Sequence, residues 1–97
     1  MKIIDLKKLG IKHESVDNGY QVPKTHRFTK DDSKLVIDVD KEDYFGLKSY
    51  VISVNDELLT FYNGKVLNWD TMEDALDDVA KIFDGKFPTK FYTTCFD

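Results

Sequence analysis

A chain of 97 residues, 41% apolar with thirteen aromatics, is long enough for one domain around one modest core and too apolar to be disordered throughout. Its formal charge of −4 is uneven: residues 1–34 hold eight Lys/Arg against five Asp/Glu, and residues 35–97 hold six against thirteen. Such an acidic C-terminal part repels phosphate polymers, which excludes general binding to DNA or to an anionic membrane.

Residues 2–9, KIIDLKKL, predict a short helix ended by Gly10. These first residues are too charged for the apolar segment of a signal peptide. Asn18-Gly19 then signals a type I′ turn, so residues 11–16 and 20–22 read as an irregular hairpin closed by Pro23. The segment KTHRFTKDDS, 24–33, reads as a polar connection. KLVIDV, 34–39, alternates as a strand, and DKEDYFG, 40–46, as a loop holding Tyr44 and Phe45.

KSYVISV, 48–54, predicts a second strand with Tyr50, Ile52 and Val54 on one face. Asn55-Asp56 makes a turn into LLTFY, 58–62, and Asn63-Gly64 makes another into KVLNW, 65–69. Short turns between such runs describe an antiparallel meander.

A helix over 71–84 follows, with Asp70 and Glu73 spaced as an N-cap and its reciprocal partner and Gly85 placed to end it. Around its axis Met72, Ala75, Leu76, Val79, Ala80, Ile82 and Phe83 fill one arc, and Glu73, Asp74, Asp77, Asp78, Lys81 and Asp84 the other. Beyond Pro88 the tail, KFYTTCF at 90–96, reads as a last strand. The expected fold is α+β over a single domain, 1–97: an antiparallel sheet of four to six strands under one amphipathic helix. The sheet's other face is left for the N-terminal segment, the aromatic tail or a second copy of the chain.

No catalytic constellation stands out. DVDKED, 38–43, fails the calcium-loop pattern because Asp43 and Ser49 occupy the positions that need Gly and Glu. His13, His26 and Cys95 share no local motif, and one cysteine rules out an internal disulfide. No metal or cofactor is expected. KTHRFTK, 24–30, can be a phosphate-binding patch around Phe28 or a solvated segment whose Phe28 tucks inward, and the second reading is favoured on an acidic protein.

The acidic helix arc is first a solvated face. It is also the candidate docking surface, because the like-charge pairs Glu73–Asp77 and Asp74–Asp78 work against the helix and have only Lys81 to offset them. Tyr44 and Phe45 add loop aromatics of the kind that anchor partners.

The expectation is a non-enzymatic, cytoplasmic accessory protein that meets another protein's basic surface through Glu73, Asp74, Asp77, Asp78, Tyr44 and Phe45. The composition resembles that of small phage and mobile-element proteins. Two alternatives stand beside it. One is a nucleic-acid mimic that blocks a DNA- or RNA-binding protein. The other is a ligand site or enzyme assembled from scattered residues such as His13, His26 and Tyr44. Direct nucleic-acid binding through 24–30 ranks below these.

Overall fold

The computed structural model describes residues 1–44, 47–61 and 63–87. Phe45, Tyr62 and the expected terminal strand 90–96, with Cys95, lie outside the described residues. Helix α1 (Ile3–Lys8) leads into strands β1 (Ile11–Val16), β2 (Thr25–Lys30), β3 (Ile37–Tyr44), β4 (Leu47–Val54) and β5 (Glu57–Leu58), followed by helix α2 (Met72–Phe83). The strands form one antiparallel sheet in chain order. The α+β architecture is the one the pattern predicts.

Several boundaries differ from expectation. Residues 24–33 are not a connection, because Thr25–Lys30 is a central strand paired with both β1 and β3. Its alternation is masked in the sequence because one side is polar throughout, with Thr25, Arg27 and Thr29, while Phe28 is the lone large apolar residue on the other. Asn18-Gly19 accordingly closes no two-residue hairpin. The β1–β2 register pairs Val16 with Thr25, so residues 17–24 make the link. Asp17 Oδ1 accepts from the Gly19 amide at 3.0 Å, and Asn18 Nδ2 donates to the Pro23 carbonyl at 2.9 Å.

Residues 40–44 are likewise strand rather than loop. Eight successive residues of β3 pair with β4, from Ile37–Val54 to Tyr44–Leu47, and backbone pairing is indifferent to the charges of Asp40, Lys41 and Glu42. The Asn55-Asp56 turn is as predicted: both residues have positive φ, and Val54 pairs with Glu57. The run after it is shorter than expected. Leu59 donates to the Ile52 carbonyl at 2.8 Å, a Thr60–Val66 bridge spans the Asn63-Gly64 turn, and Trp69 returns to β4.

Register gives the sheet two sides. Phe28, Ile37 and Val54 stand opposite one another across β2, β3 and β4, as do Val39 and Ile52, and all five are fully buried. On this side α2 lays Ala75, Leu76, Val79 and Ile82, and α1 lays Leu6. Burial of Leu76, Val79 and Ile82 stabilises by about 1.5–3 kcal/mol each. Tyr50 and Trp69 exchange both backbone hydrogen bonds, at 2.8 and 2.9 Å, which pins the start of α2 to β4. The far end of α2 meets Ile11 and Lys30 around a cavity of about 440 Å³. The helix therefore crosses the sheet from β4 toward β1. Both helices cover the same side, so the N-terminal segment does not close the other one. That side is mostly polar over β2 and β3 and needs no apolar cover there.

The helix ends are chemically explicit. The N-cap is Thr71 rather than Asp70: its Oγ1 accepts from the Asp74 amide at 3.1 Å. Asp70 directly follows the Trp69 pairing and is still held beside the sheet. At the other end Gly85 has φ +70°, Lys86 N–H bonds the Lys81 carbonyl at 2.9 Å and Gly85 N–H the Ile82 carbonyl at 3.2 Å. That is a Schellman closure, which glycine enters without strain.

Candidate functional site

The outer face of α2 is where most of the predicted contact residues gather. Glu73, Asp74 and Asp77 are exposed on it. Among the described residues no cation lies within ion-pair distance of the Glu73 or Asp74 side chains. Asp77 Oδ1 is 2.8 Å from the Met1 amino nitrogen. Asp78 behaves differently, because its Oδ2 accepts from Nε1 of the buried Trp69 at 2.5 Å. Lys81 Nζ lies 3.6 Å from the other oxygen of the same carboxylate. Asp78 is thus tied into the core boundary, while its three neighbours face water.

Tyr44 is the last residue of β3, opposite Leu47 in the register, and Phe45 lies outside the described residues. Tyr50, which pins the start of α2, is three positions along β4 from Leu47. The β3–β4 hairpin end and the first turn of α2, with Glu73 and Asp74, are therefore neighbours along one strand. The sequence separates these segments by nearly thirty positions, and the Trp69 pairing brings them together.

The opposite side of the sheet carries a groove of about 460 Å³ floored by Val51, Leu58 and Val66, with Glu42, Asn68 and Asp70 at its rim. Beyond it lies an ion pair. Arg27 reaches the buried Asp38 with Nε at 2.8 Å and Nη2 at 3.2 Å, and this contact raises the guanidinium pKa further. The Thr25 hydroxyl donates to Asp40 and accepts from Asn18 Nδ2 at 2.8 Å. Within the basic segment 24–30, Arg27 is therefore committed to Asp38. Arg27→Ala should cost about 1–2 kcal/mol of stability by stranding the buried carboxylate, whereas Lys34→Ala, at an exposed position, should cost under about 0.5 kcal/mol. Urea titration of both variants checks this.

The two histidines come together, as the scattered-residue alternative required of them, though no local motif placed them side by side. His13 lies opposite Phe28 and His26 opposite Ser15, so the imidazoles are diagonal neighbours across β1 and β2. His13 Nε2 and His26 Nδ1 are 2.9 Å apart. The ring centres are 5.2 Å apart and the planes 20° from parallel. That separation is the 2.9 Å contact plus one imidazole radius at each end, so the rings meet edge to edge with the two nitrogens in line. The His13 ring also leans on Phe28, with centres 5.1 Å apart. Burial, His26 and Lys7, in that order, lower the His13 pKa, against a weaker opposing pull from Glu14. The correct β1–β2 register was the missing signal, and the Asn18-Gly19 turn obscured it. Among the described residues no group of three or more His, Cys, Asp or Glu is placed to hold a metal ion, and no helix is long and apolar enough to cross a membrane.

No family model, curated protein or solved structure matches this chain. Its functional reading therefore rests on side-chain geometry.

Proposed function

We propose that the chain is a non-enzymatic interaction protein that meets a basic surface of another protein through Glu73, Asp74 and Asp77, with Tyr44 at the end of β3, and Phe45 after it in sequence, as further contact residues. One observation carries this reading: the charge left over at the start of α2. Ion pairs form at several other places among the described residues, as Lys12 with Asp31 at 2.6 Å, Arg27 with Asp38 at 2.8 Å and Lys86 with Asp84 at 3.0 Å. Glu73 and Asp74 stand outside those pairs and at the edge that adjoins the hairpin. The helix dipole stabilises both carboxylates in place, so the free protein tolerates them without a cation. Opposed charges across an interface speed encounter and select partners.

The test is a triple variant, Glu73→Gln, Asp74→Asn and Asp77→Asn. The unmodified protein, tagged and captured from its source cells, identifies the partner, whose affinity is then measured for both forms. Binding should weaken about tenfold or more at low salt, the advantage of the unmodified protein should shrink as salt rises, and the urea midpoint should hold. Equal affinity of the two forms would overturn the assignment of this surface. The same carboxylates would serve a mimic of nucleic-acid charge, and that narrower reading requires the captured partner to lose its DNA or RNA when this protein binds.

A further inference from the structure

We propose that His13 and His26 form a proton-binding latch on the β1–β2 pair, which closes with up to one extra proton and opens when a second arrives. The geometry dictates the count. In the neutral pair one facing nitrogen donates and the other accepts across 2.9 Å. A first added proton goes to a nitrogen that points away from the contact, His13 Nδ1 or His26 Nε2, and the imidazolium then makes a stronger, charge-assisted bond. A second added proton puts N–H on both facing nitrogens and a positive charge on both rings. The in-line contact then becomes repulsive, and one ring has to leave it.

The surroundings favour this sequence of events. Lys7 of α1 presses against further protonation of His13, as does His26, and Glu14 opposes them from the next position on β1. On the same side of the sheet, Lys30 of β2 stands two residues beyond Phe28, and Lys41 of β3 two residues beyond Val39, the register partner of His26. No carboxylate touches either ring among the described residues. Because His13 leans on the fully buried Phe28, opening of the latch reaches the edge of the core.

The sign of the pH effect follows. The folded chain holds the second proton less well than the unfolded one, so the unfolded chain takes up protons first as the pH falls through about 6.5. Stability present above that pH is lost on acidification and levels off below the lowered folded value.

Two-bond 1H–15N correlation spectra of the imidazole nitrogens in the full chain, from pH 8 to pH 4, test the latch. Two separate steps are expected, and only the lower one should move the Phe28 ring and the amides of His13 and His26. His13→Asn should leave a single step. If that variant does not fold, His26→Gln serves the same purpose. A single shared step in the unmodified protein, or a lower step that leaves Phe28 unmoved, would overturn the proposal.

Discussion

Phe28→Ala should lower the free energy of unfolding by about 3–5 kcal/mol, a large share of the roughly 5–15 kcal/mol that holds a domain together. Phe28 is the largest fully buried side chain in the described core. It stands in register between His13 and Ile37, and Val54 follows across β3. Truncation removes the apolar area and leaves a void at the centre of the row, which flanking strands locked into ladders on both sides cannot close. A urea titration reads the change as a lower midpoint with an unchanged slope. Tyr20→Ala is the control: that ring is 90% exposed and should shift stability by under about 0.5 kcal/mol. Similar losses for both variants would mean that Phe28 does not occupy the core.

Asp78→Ala should be the costliest of the carboxylate substitutions on α2, at about 2–3 kcal/mol. It strands the indole N–H of Trp69, which is 8% exposed and has its bond to Asp78 at 2.5 Å. The same residue makes the paired bonds to Tyr50 that hold the start of the helix. Asp74→Ala, one turn earlier, removes an exposed side chain and should cost under about 0.5 kcal/mol. Thermal unfolding of the two variants separates them, and Trp69 fluorescence should change in Asp78→Ala alone. Equal stability of the pair would refute the division of this face into one structural carboxylate and its solvent-facing neighbours.

The helix and the Asn55-Asp56 turn were legible in the sequence because each rests on interactions within a few residues: a 3.6-residue apolar period and a turn that demands positive φ. The polar strand β2 was not legible. Its outward Thr25 and Arg27 are satisfied by Asp40 and Asp38 of β3, and no local window contains those partners. The charged half of β3 was hidden because the backbone pairing with β4 that makes it a strand does not depend on its side chains. The candidate surface was legible in composition, since the acids of α2 can be read off a helical wheel. It was not legible in detail: nothing in the wheel distinguishes Asp78 from Asp77, because the difference is a tryptophan nine positions upstream. The histidine pair depended wholly on a register that Asn18-Gly19 misdirects.

Strands that follow one another in chain order also shape the route by which the molecule assembles. Each neighbouring pair from β1 to β5 can zip from its own connection, so most of the sheet needs only short loops to close. The exception is α2, which follows Trp69, paired with Tyr50 of β4, and must reach Ile11 at the opposite edge. Seating that helix is the long-range event, and the apolar side of the sheet stays wet until it happens. Substitutions in the Asn55-Asp56 turn should therefore slow refolding, while those at Ile82 should chiefly hasten unfolding.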